Sequence, residues 1–318
     1  MNTMKKIVTI LFLALVVFSC KKEAPVGPNL IDLYGIFNID ETLSSNVDSV
    51  DFTKKSVQFN GSWTLITPWT LTIKGRESGA IKTISGKSKT LKSTQGIWDG
   101  TSDVIFFKNE TCDVTLSFNE HPDSVRTSTI KITGTHDYTK DGIVLVDFEN
   151  TVAFNKSGNT TFADKVTGDT IPQGKYYFKM LGKEPGNSYW LGGLVGITAQ
   201  TIYKMSFFDF KTADTATTFI NMFYYGFNYA NTTISFNFDY DPNKDGKVDS
   251  SYGYNVPAVK LGWHKVSFPL SALKCKGYIH SEVENLTTLY ISLTTNGAVS
   301  NNIGCGIDYV IITKGKPL

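Results

Sequence analysis

The chain has 318 residues and a formal charge of +2, and 41% of its residues are hydrophobic, 13% aromatic and 19% charged. A chain of this composition can bury hydrophobic cores, which excludes an intrinsically disordered protein. Its lysines and arginines form no dense stripe along the sequence, so a nucleic-acid-binding surface is also excluded.

The N-terminus has the features of an export signal. Two lysines, Lys5 and Lys6, precede an apolar run from Ile7 to Phe18. This run is too short to span a bilayer comfortably, which favours a signal peptide over an anchor helix. No later apolar stretch of the sequence approaches membrane-spanning length.

The signal peptide ends in Val-Phe-Ser-Cys, with the cysteine at position 20. This ending resembles the lipobox of bacterial lipoproteins, in which the chain is cleaved before the cysteine and the thiol is lipidated. The resemblance implies a signal peptide over residues 1–19, a lipid anchor on Cys20 and a flexible tether over residues 20–29. The anchor would hold the protein on the bacterial outer membrane, at the cell surface or on the periplasmic face, without spanning it. An ordinary secretory peptide with an accidental cysteine is the alternative.

The rest of the chain consists of short segments rich in valine, isoleucine, threonine, tyrosine and phenylalanine, separated by glycine, asparagine and aspartate. Residues 69–74 (WTLTIK) and 308–313 (DYVIIT) are examples. Because helical periodicity is nearly absent, we predict an all-β protein built from antiparallel sandwiches. A polar stretch near residues 140–146 separates two strand-rich blocks and predicts two domains.

The first block, residues 30–140, contains a Ser-Gly turn after its WTLTIK strand and the sequence Gly-Ile-Trp-Asp-Gly at 96–100. These features resemble the immunoglobulin-like domain of flagellar hook-capping proteins and of many secreted bacterial proteins. The resemblance implies an Ig-like β-sandwich that acts as a spacer from the membrane. In physical terms, Trp98 would fill the core while Asp99 and Gly100 turn the chain.

The second block, residues 145–318, opens with Asp-Phe-Glu at 147–149 and closes with Ile-Asp-Tyr-Val at 307–310. This order resembles the galactose-binding-like jelly roll used by many carbohydrate-binding modules, in which the opening and closing strands pair. The resemblance implies a jelly-roll β-sandwich. The same fold also serves in protein adhesion and as an inert accessory domain, so the fold alone does not give the function.

An acidic loop in the second block has the residue order of an EF-hand calcium loop. Oxygen ligands at positions 1, 3, 5, 7 (main-chain carbonyl) and 9 would come from Asp241, Asn243, Asp245, Lys247 and Asp249. Tyr252 replaces the usual glutamate at position 12, and the flanking segments are strands rather than helices. We predict either an isolated structural calcium loop in a hairpin or a solvated polar turn.

A second calcium site is implied by the resemblance to carbohydrate-binding jelly rolls. These modules often hold a structural calcium ion between the glutamate of the opening strand and the aspartate of the closing strand. The corresponding residues are Glu149 and Asp308. The alternative is two edge carboxylates on neighbouring strands, which would repel each other without a cation between them.

Aromatic residues near glycine and asparagine predict a surface for sugars. Tyr189, Trp190, Tyr224 and Tyr225 could pack on the apolar C–H faces of sugar rings, and Asn228 could bind hydroxyl groups. Alternating aromatic residues in strands are also common in cores and cross-strand pairs, which is the alternative.

The cysteines allow one disulfide bond in the second domain. An exported protein permits disulfides, and Cys275 and Cys305 fall in the same predicted domain. Cys112 would then remain a free thiol. Free buried cysteines at all three positions are the alternative.

The sequence contains no recognisable catalytic motif. Each of the four histidines is isolated, and no metalloprotease, nucleophile-elbow or phosphate-loop pattern is present. Thr135, His136 and Asp137 cannot act together in a strand, because adjacent side chains point to opposite faces. We therefore predict that the protein is not an enzyme, with a hydrolase using two distant carboxylates as the residual alternative.

The predicted function is that of a membrane-anchored lipoprotein that binds glycan without catalysis through its second domain. In layout it is similar to the accessory glycan-binding lipoproteins of polysaccharide-uptake systems. This similarity implies a polysaccharide or oligosaccharide partner, contact with outer-membrane uptake machinery, and a lipid anchor as the one contact with the membrane. The alternative is a structural or adhesion lipoprotein whose second domain contacts protein or the cell envelope.

Overall fold

The computed structural model describes residues 35–150, 154–156, 159–168, 170–183, 190–194, 197–198, 211, 214–230, 232–275, 286–295 and 302–318. The predicted signal peptide, Cys20 and the tether lie outside these ranges. Regular structure in the described ranges consists of β-strands and short 3-10 turns, which confirms the predicted all-β class. No helix in the described ranges has the length and apolarity needed to cross a membrane.

The first module is formed by residues 35–141. Its strands are β1 Ile39–Ser45, β2 Ser49–Asp51, β3 Val57–Gly75, β4 Ile81–Leu91, β5 Ile97–Trp98, β6 Thr111–Phe118 and β7 Arg126–Gly134.

The 19-residue strand β3 organises the first module. Its odd-numbered residues are the more buried ones along its length, as the alternation of a half-buried strand requires. Its N-terminal half pairs with β1, and its C-terminal half pairs with β4 and β6. Strand β7 pairs with β6 and, in parallel, with β2. The result is one sheet in the order β1-β3-β6-β7-β2, with β4 and β5 also paired to β3. The Ig-like assignment of residues 30–140 stays a prediction.

Three tryptophans fill the core of this module. Trp63, Trp69 and Trp98 are each at most 2% exposed. Their indole N–H groups donate to nearby oxygens, with Trp63 and Trp69 both bound to Ser88. The chain turns at Gly100, where φ is 88°. The predicted roles of Trp98 in the core and of Gly100 in the turn are therefore confirmed.

The second module begins with β8, slightly before the predicted boundary at residue 145. Its strands are β8 Gly142–Val146, β9 Phe154–Lys156, β10 Thr160–Val166, β11 Tyr177–Gly182, β12 Trp190–Leu194, β13 Ile197–Thr198, β14 Thr218–Gly226, β15 Thr232–Tyr240, β16 Ser250–Pro257, β17 Gly262–Pro269, β18 Lys274–Cys275, β19 Leu286–Thr295 and β20 Ile303–Lys314.

These strands form two sheets that pack face to face. The front sheet has the order β10-β11-β20-β14-β17, with β8 paired to the C-terminal part of β20. The back sheet has the order β18-β16-β15-β19-β12-β9, with β13 paired to β19. Buried side chains such as Phe178, Met222, Phe236 and Leu289 fill the space between the sheets. The second module is therefore a β-sandwich in which β8 pairs with the closing strand β20, whereas the Asp-Phe-Glu sequence predicted to open it follows β8 and lies outside the strand.

Phe106 of the first module joins the two modules. Its ring stacks on Tyr138 at 3.7 Å and meets the edges of Phe223 and Tyr309 at 4.9 and 5.1 Å. Phe223 and Tyr309 belong to the outward face of the front sheet. The first module therefore covers one end of that face and shares a continuous core with it.

Replacing Phe106 with alanine is expected to lower the free energy of unfolding by about 3–5 kcal/mol, because a buried ring at a shared core is lost. Urea unfolding should show this loss, together with a broader or two-step transition as the modules uncouple. Ile97→Ala is the control, since Ile97 is 46% exposed and its change should cost about 0.5 kcal/mol or less. An equal effect of both substitutions would contradict the shared core.

Candidate functional site

The side chains of strand β14 alternate between the two faces of the front sheet. Met222 and Tyr224 point into the sandwich core, at 0% and 7% exposed, whereas Tyr225 points outward and is half-buried. The pairing register places Tyr225 opposite Trp263 of β17 on one side and opposite Gly306 of β20 on the other. The outward face thus carries an aromatic pair beside a residue that has no side chain.

Three rings pack together beside Gly306. The Trp263 ring lies 5.2 Å from the Tyr177 ring and 5.4 Å from the Tyr225 ring, in edge-to-face contact with both. A Cβ atom at Gly306 would lie 2.7 Å from the Tyr177 ring and 3.1 Å from the Cβ of Tyr225. A side chain at this position would collide with both tyrosines. Glycine is therefore required for the rings to approach the backbone of β20 so closely.

The ring cluster continues past the end of β14. The Phe227 ring lies 5.0 Å from Tyr225 and 5.8 Å from Tyr229. The ammonium of Lys179 lies 5.3 Å from the Phe227 ring and 5.9 Å from the Phe162 ring. The aromatic face is the name used here for Phe162, Tyr177, Tyr225, Phe227, Tyr229 and Trp263.

The aromatic face combines flat apolar rings with polar groups at their edges. Asp164 lies opposite Lys179 in the register of β10 and β11, so a carboxylate and an ammonium flank the rings. Burial raises the pKa of the Tyr177 hydroxyl, and Tyr225 adds a smaller effect in the same direction. The Tyr177 hydroxyl is therefore neutral at physiological pH and can donate a hydrogen bond. Rings with such edges can pack on a flat apolar ligand and bind its hydroxyl groups.

The predicted sugar-binding residues lie in different places. Tyr225 belongs to the aromatic face, and Asn228 is exposed between Phe227 and Tyr229, with φ of 59°. Trp190 is 43% exposed but lies on β12 of the back sheet. Tyr189 lies outside the described residues.

The prediction that Tyr224 belongs to the sugar-binding surface is wrong. It is buried in the core of the sandwich, because β14 alternates and its neighbour Tyr225 takes the outward face. Sequence reasoning missed Tyr177, Trp263 and Phe227. Period-two alternation could have separated Tyr224 from Tyr225, and the Gly-Cys-Gly run of β20 is a signal of close backbone approach.

The structure brings together the two carboxylates that the jelly-roll resemblance paired. Oε1 of Glu149 accepts hydrogen bonds from the N–H groups of Lys175 and Tyr176, at 2.8 and 3.0 Å. Oδ2 of Asp308 accepts one from the N–H of Gln173 at 3.0 Å. The same short segment therefore binds both carboxylates and holds them near each other.

Two oxygens of this cluster are buried without a hydrogen-bond partner, Oδ1 of Asp308 and Oε1 of Gln173. Burial raises the pKa of Asp308 well above its ordinary value, and the charges of Glu149 and Asp147 raise it further. A cation bound to the free oxygen of Asp308 would satisfy it and offset the repulsion from Glu149. In the described part of the chain no three His, Cys, Asp or Glu side chains form a metal site. Calcium also accepts amide and main-chain oxygens, so the residues present fit it.

The backbone beside each carboxylate is in an uncommon conformation. Phe148 has φ of 59° and Tyr309 has φ of 47°, in the left-handed region that bulky residues rarely adopt. Each is almost fully buried, so packing holds it there. Such strain persists where the surroundings over-determine the conformation, as at ligand-holding positions.

The acidic loop is a compact turn between β15 and β16. Side-chain oxygens of Asp241, Asn243 and Asp245 accept hydrogen bonds from main-chain N–H groups of the loop at 2.8–3.3 Å. One of these donors is the N–H of Lys247, and the chain rejoins the sheet at Asp249. These hydrogen bonds explain why the loop is rich in aspartate and asparagine, because their side chains stabilise the turn. Calcium binding in this loop stays a prediction.

The predicted disulfide bond between Cys275 and Cys305 is not formed, because Cys305 is a free thiol. It is 0% exposed and points into the sandwich core from β20. Strand β20 is central in the front sheet, whereas Cys275 lies on β18 at the edge of the back sheet. Cys112 is likewise a free buried thiol, in the core of the first module.

His136 lines a cavity of about 490 Å³ between the modules. Its Nε2 lies 2.7 Å from the Asp141 carboxylate and its Nδ1 lies 2.9 Å from the Asp99 carbonyl. Both ring nitrogens are therefore engaged with the protein, in an arrangement that orients the ring rather than presenting a free base.

No protein-family model matches the chain, and no curated protein matches it in sequence. One similar solved structure comes from work on carbohydrate-binding modules of the β-sandwich superfamily. Its chain is 14% identical to this one, with a TM-score of 0.38, and the match covers 87% of this chain and 98% of that chain. A second is the family 11 carbohydrate-binding module from Clostridium thermocellum, in complex with a mixed-linked tetrasaccharide. It is 12% identical to this chain, with a TM-score of 0.38, and the match covers 54% of this chain and 95% of the module. A third is the enzymatically active domain of bacteriophage CBA120 tailspike protein 4. It is 15% identical to this chain, with a TM-score of 0.34, and the match covers 57% of this chain and 22% of the tailspike chain. Likenesses this distant do not identify a function.

Proposed function

We propose that this protein binds an extended glycan without catalysis, through the aromatic face of its second module. The observation that carries this proposal is the array of Trp263, Tyr177 and Tyr225 around Gly306 on an outward sheet surface. The three rings are only partly buried, and a cluster of partly exposed aromatic rings is typical of a binding surface. Sugar rings offer flat C–H faces for these rings and hydroxyl groups for their polar edges.

The position of the first module supports a single direction for the ligand. It covers the part of the front sheet that carries Phe223 and Tyr309, and Trp263 packs against the core that the two modules share as well as against the other rings. The first module therefore forms a wall along one side of the aromatic face. A glycan would run across β10, β11, β20 and β14 beside that wall, with the ammonium of Lys179 next to it.

Calcium is proposed as a structural ion of the second module. Glu149, Asp308 and Gln173 would hold it, since their oxygens include the two buried atoms without partners. The ion would supply charge neutralisation and would fix the segment that leads into β11 and Tyr177. The acidic loop at residues 241–249 is the other predicted position.

The test is a binding screen of the mature chain against neutral and acidic polysaccharides, with and without a chelator. Saturable binding to at least one polysaccharide is expected. Absence of binding to every polysaccharide at millimolar sugar concentration would overturn the proposal. In that event, a structural or adhesion role would be the one to test next.

The proposal includes an outer-membrane lipid anchor on Cys20, at the cell surface or on the periplasmic face. Cys20→Ser should abolish labelling by radioactive fatty acid and move the protein from the membrane fraction to the soluble fraction, because the lipid chains provide the membrane affinity. Ser19→Ala is the control and should keep the label. An unlabelled wild-type chain would contradict the anchor. The same strain can be used to ask whether outer-membrane uptake machinery copurifies with the anchored protein.

A further inference from the structure

A cavity of about 360 Å³ lies between the two modules, apart from the aromatic face. Ser102 and Tyr138 of the first module line one side of it. Lys265 of β17 and the segment from Thr313 to Leu318 line the other side. The cavity exists only where the modules meet, and its size suits a small ligand.

The lining of this cavity has an excess of positive charge. Five of its lining residues are lysines: Lys82, Lys140, Lys265, Lys314 and Lys316. Its two carboxylates already have partners, since Asp103 lies 3.2 Å from the Lys82 ammonium and Asp141 lies 2.7 Å from the His136 ring. Lys140 lies 3.6 Å from the Asp137 carboxylate, so the positive potential of the space comes from the ammonium groups of Lys265, Lys314 and Lys316.

Lys265 is a partly buried lysine of this lining. Its ammonium donates to the main-chain oxygens of Ser102 and Leu318, at 3.3 and 2.5 Å, and so spans the two modules. Burial lowers its pKa, which Asp103 opposes and Lys82 reinforces. The ammonium has three N–H donors and these two bonds use two of them, so one donor remains for an acceptor oxygen placed in the cavity.

Two hydroxyl groups of the cavity lining are buried without a hydrogen-bond partner. They are Oγ of Ser102 and the phenolic oxygen of Tyr138, in residues that are 5% and 8% exposed. Burial raises the pKa of Tyr138, and hydrogen bonding with Ser102 lowers it by a smaller amount, so the two hydroxyls lie beside each other and have no other partner. Buried hydroxyls without partners are uncommon, and an acceptor oxygen placed between them would satisfy both.

We propose that this cavity binds a small oxyanion, meaning a phosphate, sulfate or carboxylate group. Its oxygens accept hydrogen bonds from the ammonium of Lys265 and from the hydroxyls of Ser102 and Tyr138, and the lysines at the rim neutralise its charge. Both modules contribute donors, so the bound anion ties them together. This site is separate from the aromatic face and does not depend on glycan binding there.

The test is thermal unfolding of the mature chain in titrations of sodium phosphate, sodium sulfate and sodium glucuronate. Sodium chloride at matched ionic strength corrects for screening, and glucose controls for the sugar ring. A saturable rise in Tm with at least one oxyanion, beyond the effect of chloride, is expected. Phosphate or sulfate alone identifies an inorganic anion site, and glucuronate alone identifies an acidic sugar. No rise beyond chloride with any of them overturns the proposal.

Matched variants locate the effect. Lys265→Gln removes the central ammonium, and Tyr138→Phe removes one hydroxyl while keeping the ring stacked on Phe106. Each should weaken the apparent Kd about tenfold or more, as expected for a hydrogen bond to a charged group. Lys316→Gln tests the exposed rim if Lys265→Gln does not fold. Lys87→Gln removes an exposed lysine of β4 outside the cavity and should leave the Kd unchanged. Equal weakening by Lys87→Gln would show a general charge effect and overturn the site.

Discussion

Replacing Trp263 with alanine is expected to weaken binding of the recognised glycan by about 30-fold or more. A central aromatic anchor of a binding surface is worth about 2 kcal/mol or more when truncated, and each 1.4 kcal/mol is about a tenfold change in Kd. Trp263 holds this position because it contacts both Tyr177 and Tyr225. Isothermal titration with the polysaccharide identified by the screen measures the change.

Trp190→Ala is the matched control for this prediction. Trp190 is 43% exposed, but it lies on the back sheet, so its loss should leave the affinity unchanged. Trp263 also packs against the core that the two modules share, so Tyr225→Ala provides a second variant that removes a ring outside that core. The Tm of each variant distinguishes lost binding from lost folding. Equal loss of affinity in Trp190→Ala and Trp263→Ala would place the glycan elsewhere.

Calcium is expected to raise the Tm of the chelator-treated protein at neutral pH by roughly 5–10 °C. A ligand present at about 100 times its Kd stabilises the folded state by about 2.7 kcal/mol, and this size of domain gains a few degrees for each kcal/mol. The gain should depend on pH because of Asp308. Its pKa in the folded protein is raised by burial, so the metal-free folded state binds this proton more tightly than the unfolded chain does.

The sign of the pH dependence follows from that shift. In metal-free protein, the stabilising contribution of Asp308 is complete below the unfolded-state pKa of about 3.9 and is lost as pH rises through the raised folded-state pKa. Calcium should therefore stabilise most above that folded-state pKa, where the carboxylate is charged. Thermal unfolding between mildly acidic and neutral pH, with and without calcium, measures both effects.

Asp308→Asn separates the two candidate calcium positions. It should abolish the calcium-dependent rise in Tm and raise the Tm of the chelated protein at neutral pH, because the buried charge is removed. Asp245→Asn is the matched control in the acidic loop and should keep the calcium response. If Asp245→Asn abolishes the response instead, the ion lies in the loop. If chelation leaves the wild-type Tm unchanged, neither position holds a structural ion.

The all-β class was predictable because strand composition and turn residues are local signals. The roles of Trp98 and of Gly100 could also be read from a short stretch of sequence. The pairing of β8 with β20 followed from a resemblance rather than from local signals. What these features share is that they require no knowledge of how the other strands pair.

The aromatic face could not be predicted in the same way. Tyr177, Tyr225, Trp263 and Gly306 come from four strands that are far apart in sequence, and only the register of the front sheet brings them together. Tyr225 was identified among the candidates, but Tyr224 was given the same role because local composition does not show which side of β14 faces the core. The predicted disulfide failed for a related reason, since shared domain membership does not say which sheet a cysteine lies on.

The most direct test of the central claim is hydroxyl-radical footprinting of the mature chain with and without a saturating concentration of the bound polysaccharide. Mass spectrometry then reports the oxidation of individual aromatic residues. We expect protection of Trp263 and Tyr225 on the aromatic face, with unchanged oxidation of Trp190 and Tyr290, which are exposed on the back sheet. Protection of Trp190 with continued oxidation of Trp263 would contradict the proposed site.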